Sequence, residues 1–114
     1  MKLKIAVLPG DGIGKEITDQ GVKVLQAIAK KFNHQFTFTT ADIGAAAIEK
    51  TGNPLPDATI EVCKQSDAVL FGAIGDPKYD NDPDARVRPE QGYLKLRKNL
   101  DLFVNIRPIR VFEG

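Results

Sequence analysis

Hydrophobic residues occur along this chain in two kinds of pattern. Short apolar runs, "LKIAVL" (3 to 8), interrupted by Lys4, and the continuous "AVLFGAI" (68 to 74), are brief, and the first is closed by the breakers Pro9 and Gly10. Such runs fit buried strands better than helices. "QFTFTT" (35 to 40) alternates Phe36 and Phe38 with polar or β-branched neighbours and predicts another strand. "LFVNIRPI" (102 to 109) reads as a further strand, with Arg107 emerging just before Pro108.

The second pattern has helical spacing. From Lys15 to Phe32 the apolar residues Ile17, Val24, Leu25, Ile28 and Phe32 recur at that period, and Asp11 to Gly14 supply the turn before them. "GAAAIEK" predicts a short helix stopped at Gly52, since glycine accepts the left-handed conformation there. After "NPLP", Asp57 is placed to cap a helix through about Gln65, with Ile60 and Cys63 three apart. Pro89 suits the first turn of a helix reaching about Asn99. Strands alternating with helices predict an α/β fold built on a mainly parallel sheet. "GDPKYDNDPDARV" is the one soft, polar, proline-bearing stretch.

Composition narrows the function. The 114 residues suit one domain of ordinary size. Charges nearly cancel at a formal +1, so no basic field points to nucleic acid. The apolar start is too short for a membrane span, and a lone Cys63 forms no internal disulfide. A cytoplasmic chain without nucleic-acid or membrane partners is expected.

Several motifs invite chemistry and fail on spacing. In "GDGIGKE" a dinucleotide fingerprint starting at Gly10 requires glycine where Lys15 stands. A phosphate loop requires glycine at Pro9 and a hydroxyl residue at Glu16. Two readings stay open: a tight strand-to-helix connection, or a glycine turn that brings backbone close to a ligand. "DNDPDA" mimics the front of a calcium loop, yet Ala85 and Gln91 replace the glycine and glutamate such a loop needs. His34 has no second histidine to work with, and Cys63 reads as packing.

The arginines say more. Arg86, Arg88, Arg97, Arg107 and Arg110 all follow position 85, and everything earlier uses lysine. A guanidinium grips a carboxylate or phosphate bidentately, which an ammonium does not. At about 100° per residue, with Glu90 at zero, Tyr93, Leu94 and Arg97 fall at about −60°, +40° and −20°. An acid, a phenol, an aliphatic chain and a guanidinium therefore share one stripe. Leu96 and Leu100, at about −120° and −80°, point toward a core. Arg97 and Arg107 either converge on a small dianion, or Arg97 pairs with Glu90 at the surface while Arg107 stands apart.

"KIAVLPGDGIGKEI" (4 to 17), "SDAVLFGAIGDPKYD" (66 to 80) and "RPEQGYLKLRKNLDLFVNIRPI" (88 to 109) resemble, in order, the amino-terminal third of the isocitrate/isopropylmalate dehydrogenase family of β-decarboxylating dehydrogenases. "EQGYL", in place of a serine-bearing stretch, resembles the isopropylmalate branch. The resemblance implies a non-Rossmann α/β fold, with a parallel or mixed sheet and flanking helices, incomplete in this chain. It implies NAD-dependent oxidation and decarboxylation of 3-isopropylmalate in leucine biosynthesis, by a cytoplasmic homodimer using Mg2+ or Mn2+. Carried over by position, Arg97 and Arg107 would clamp the malate carboxylates, and Tyr93 and Leu94 would meet the isopropyl group. Glu90 would lie between cofactor and substrate. Ile13, Ala73, Ile74 and Gly75 would line the NAD site.

On the same resemblance, residues 1–99 begin the NAD- and substrate-binding first domain, and 100–114 cross toward a second. The catalytic residues and metal ligands are expected outside this chain, so residues 1–114 alone are expected to be inactive. Lys15 stands where the family commonly has proline, and Tyr93 where it commonly has leucine. The latter keeps open a related 2-hydroxy dicarboxylate such as tartrate, malate or homoisocitrate. A non-catalytic, receiver-like α/β module is the remaining alternative, although "FGAIG" carries no aspartate until Asp76.

Overall fold

The computed structural model describes residues 1–112. Three parallel strands, β1 (Lys2–Gly10), β2 (Gln35–Thr40) and β3 (Ala68–Ala73), form a sheet in the order β2-β1-β3. Helix α1 (Gly14–Phe32) links β1 to β2, and α2 (Ala45–Thr51) and α3 (Asp57–Lys64) link β2 to β3. After β3 come a single turn, α4 (Pro77–Asp80), and then α5 (Pro89–Asn99). The central strand is also the most apolar, as a strand with neighbours on both edges and helices on both faces must be.

Register divides the side chains between two layers. Ile5 pairs with Phe38 and Ala68, and Val7 with Thr40 and Leu70, so these share the α1 face. Ala6 and Leu8 pair on the opposite face with Val69 and Phe71. There they join Ile43, Leu55, Ile60, Cys63 and Leu96 in the main core. Burying one such aliphatic side chain stabilises the fold by about 1.5–3 kcal/mol. Leu96 ties α5 to this core, as its angular position predicts, and Leu100 packs on the edge of it. Cys63 is buried, and burial pushes its thiol up from the ordinary value.

Four expectations change. Pro56, not Asp57, precedes α3, and Asp57 is its first residue, where its charge still favours the helix N-terminus. The soft loop contains α4, capped by the Asp76 carboxylate, which accepts from Lys78 N at 2.9 Å. Residues 102–109 are not a strand: beyond Leu102 N, which donates to Arg97 O, no regular element follows. A strand exists only by pairing, and among the described residues none lies alongside this segment. Finally, the apolar stripe of α1 is largely uncovered: Ile17, Val24, Ile28 and Phe32 are exposed, and the helix meets the sheet through Thr18 and Gly21 instead. Among the described residues no helix is long and apolar enough to cross a membrane.

Candidate functional site

The strand order creates a switch point. The chain leaves β1 for β2 through α1 on one face, while α5, which follows β3, lies on the other face. Connections after β1 and β3 therefore part in opposite directions at the strands' carboxyl ends, where open α/β sheets bind ligands.

Close backbone packing builds the floor of this crevice. Asp11 N donates to Ala73 O at 2.9 Å, and Gly14 N to Asp11 O at 2.9 Å. Gly10 has φ +70°, and a Cβ there would overlap the Ala73 carbonyl oxygen. The turn "GDGIG" thus answers its first reading at Gly10, where glycine is required by neighbouring protein backbone rather than by a ligand. Gly12 differs: at φ +54° it has nothing within 4 Å of its Cβ position. Backbone at Gly12 is thus open to a bound molecule, and Ile13 beside it is exposed.

Beside this turn, hydrogen-bonded to it, the chain leaves β3 through Ala73, Ile74 and Gly75. Gly75 adopts φ +115°, and its Cβ position lies 3.1 Å from Glu90 Oε1. A side chain at 75 would be both strained and pressed against that carboxylate. Glu90 occupies the first turn of α5, whose start is set by Pro89 and by Arg88 N donating to Gln91 Oε1 at 3.1 Å. One turn on, the Tyr93 ring packs on Phe71 of β3 with centroids 5.4 Å apart. Arg97 lies over the other side of this cluster, its guanidinium carbon 5.5 Å from the Tyr93 centroid and Nη1 3.5 Å from the phenol oxygen.

The fold therefore brings Ala73, Ile74, Gly75, Glu90, Tyr93 and Arg97 along one side of β3 and α5, with Ile13 at the opposing turn. The Arg97–Glu90 surface pair does not form: the ion pairs among the described residues are Lys15–Asp19, Lys50–Asp42 and Lys78–Glu49. Arg97 is half-buried and held by an aromatic face, leaving its donors for an anion. Leu94 points outward at 62% exposure. Arg107 lies in the exposed segment after α5, where no hydrogen-bonded element fixes it relative to Arg97.

Sequence reasoning passed over two residues. Arg88 belongs to the arginine cluster, but its guanidinium is spent inside the protein, donating to Tyr79 O at 2.8 Å and Asp82 O at 3.1 Å. These bonds tie α4 and the loop after it to the start of α5. Asp11 is 6% exposed, and its carboxylate accepts from Ala45 N, Ala46 N and Gly75 N. Its position inside a strand-ending turn was the available signal, but partners 34 to 64 residues away leave no local pattern. An open concavity of about 1150 Å³ lies on the α1 face, lined by α1 residues together with Val7, Phe38 and Thr40. None of the expected site residues lines it.

A parallel sheet with helices on both faces, whose strand ends carry a glycine turn, a carboxylate and a guanidinium unpaired among the described residues, defines the α/β class of fold. The model of the isocitrate/isopropylmalate dehydrogenase family matches residues 4–114, and the chain belongs to that family. It is 58% identical to a 3-isopropylmalate dehydrogenase of Bacteroides fragilis over 99% of this chain and 32% of that one. A 3-isopropylmalate dehydrogenase of Bacillus subtilis is 52% identical over 100% of this chain and 31% of the relative. The chain thus spans about a third of the length of the curated relatives it matches. Among solved structures, a β-decarboxylating dehydrogenase from Thermococcus kodakarensis superposes with TM-score 0.68 at 36% identity, covering 88% of this chain and 27% of that chain. An isocitrate dehydrogenase from Methylococcus capsulatus gives TM-score 0.56 at 40% identity, over 65% and 21%. The expected fold class is thereby met, and the receiver-like reading falls away.

Proposed function

We propose that the protein carrying this chain is an NAD-dependent 3-isopropylmalate dehydrogenase of leucine biosynthesis. Residues 1–99 belong to its NAD- and substrate-binding domain, and 100–114 lead toward a second domain. On the same resemblance it works as a cytoplasmic homodimer. The observation that carries this reading is Arg97: half-buried, seated on Tyr93 and unpaired by any carboxylate among the described residues, it is prepared for a small dicarboxylate.

The residues present fit a nucleotide. Open backbone at Gly12 and exposed Ile13 lie beside the loop Ala73 to Gly75 at the strand ends, and Glu90, next to Gly75, would offer a carboxylate to a ribose hydroxyl or the nicotinamide end. When bound, NAD supplies the hydride acceptor for the carbon bearing the 2-hydroxyl. Arg97, with Arg107 brought alongside, holds the malate carboxylates so that this carbon faces the ring. Tyr93 and Leu94 border the alkyl substituent. On the same resemblance the ligands of the divalent ion belong to other parts of the protein; among the described residues no three His, Cys, Asp or Glu side chains are grouped to hold one. Residues 1–114 by themselves are expected to be inactive.

The phenol tip of Tyr93 favours a second reading. It sits 3.5 Å from Arg97 Nη1, a polar atom at the edge of an alkyl pocket, which suits a substrate with a hydroxyl in place of the isopropyl group. The complete gene product, assayed with NAD and a divalent ion, is expected to form NADH faster from 3-isopropylmalate than from tartrate, malate or homoisocitrate. Preference for tartrate or malate would replace the substrate; no turnover of any of the four would end the reading.

A further inference from the structure

Asp11 is a buried carboxylate with no cation beside it and three backbone donors in front of it. Oδ2 accepts from Ala45 N at 3.0 Å and from Gly75 N at 3.1 Å, and Oδ1 from Ala46 N at 3.1 Å. Ala45 and Ala46 are the first residues of α2, and the residue before them, Gly44, has no side chain to satisfy those amides. Asp11 therefore caps α2 from a different loop. Gly44, at φ +76°, would overlap the Asp11 carboxylate if it carried a Cβ, so the close seat is built from both sides.

The third bond goes elsewhere, to the turn after β3. One carboxylate thus fixes three segments at once: the turn after β1 to which it belongs, the start of α2, and the loop Ala73 to Gly75. Ala73 O is tied to the Asp11 main chain as well, at 2.9 Å. Gly75 in turn sets the space in which Glu90 Oε1 lies.

We propose that Asp11 is a positioning residue for the nucleotide side of the crevice, setting the loop Ala73 to Gly75, and through it Glu90, at a fixed distance from Gly12 and Ile13. This inference rests on the NAD reading above. It does not make Asp11 a group that touches NAD or substrate.

The two oxygens give the inference a specific signature. In Asp11→Asn the one remaining oxygen can keep the Oδ2 seat, serving Ala45 and Gly75, while the amide nitrogen faces Ala46 N–H, donor against donor. In Asp11→Ala all three amides lose their acceptor. Backbone amide exchange and NAD titration on the complete gene product read both consequences. Exchange at Ala46 is expected to quicken in both variants, and at Gly75 mainly in Asp11→Ala, with Val7 and Leu8 protected throughout. NAD affinity is expected to fall about threefold in Asp11→Asn and tenfold or more in Asp11→Ala, with isopropylmalate affinity within about twofold. Unchanged NAD affinity in Asp11→Ala, unchanged exchange at Gly75, or equal loss of protection across the sheet in both variants would overturn the role given to Asp11 alone. A parent protein that binds no NAD would instead overturn the functional reading and this inference with it.

Discussion

Two neighbouring regions hold their charged groups by opposite means. At the strand ends, Asp11, Gly10, Ala73 and Gly75 interlock through short hydrogen bonds and contacts that leave no room for a Cβ. Past α5, residues 103–112 carry Phe103, Ile106, Ile109, Val111 and Phe112 almost fully into solvent, with no main-chain bond to the body. On the proposed reading the site spans both: Glu90 lies beside Gly75 and Arg97 over the Tyr93 ring, next to the first region, and Arg107 lies in the second. Of the clamp proposed for a diacid, Arg97 is thus held by this chain, while Arg107 would need a further contact to position it. Preorganised donors cost little to bring to a ligand, whereas a loose one must be ordered at the moment of binding.

That contrast gives a graded series of outcomes. Gly10→Ala drives a methyl into the Ala73 carbonyl at positive φ and is expected to cost about 4 kcal/mol or more, read by denaturant unfolding. Leu96→Ala, which loosens α5 from the core, is expected to cost about 3 kcal/mol in the same measurement. In the complete gene product Arg97→Ala should leave stability within about 1 kcal/mol but lower kcat/KM for isopropylmalate about a hundredfold, because it removes the guanidinium proposed to grip the substrate carboxylates. Gly12→Ala, next to Gly10 but facing open space, carries only the backbone penalty of about 1 kcal/mol.

The smallest effects come from the exposed segment and from Cys63. Phe103→Ser, at 95% exposure, is expected to change the stability of residues 1–114 by less than about 0.5 kcal/mol. A larger loss in the complete gene product would show that other parts of that product cover Phe103. Cys63 should resist thiol reagents until unfolding. Because burial raises the folded thiol above its ordinary value, its small contribution is whole below that value and declines as pH rises through the folded one. Titration of stability across the alkaline range checks the sign.

What the sequence disclosed follows from where the deciding interactions lie. The limits of α5, Pro89 to Asn99, are legible because Pro89 fixes the start locally and Leu96 marks the buried face. Gly52, with φ +73°, stops α2 for a reason written in one residue. Segment 102–109 misleads because alternation and apolarity describe a strand's side chains, while its existence depends on a partner's backbone. Asp11 and Arg88 stay hidden for the same reason. One serves amides 34 and 64 residues away, the other serves carbonyls of the single turn α4 and of the loop after it. The exposed stripe on α1 has the right period, yet period tells only that a face is apolar. It does not tell what covers it.

The measurement that bears most directly on the account is isopropylmalate binding to the complete gene product, compared between Arg97→Lys and Arg107→Lys by titration calorimetry. A prepositioned Arg97 and an Arg107 ordered by the ligand predict that both variants bind about tenfold or more weakly. They also predict that only Arg107→Lys removes part of the unfavourable ordering entropy of binding. Undiminished affinity in Arg97→Lys would contradict the claim that the guanidinium seated on Tyr93 grips the diacid.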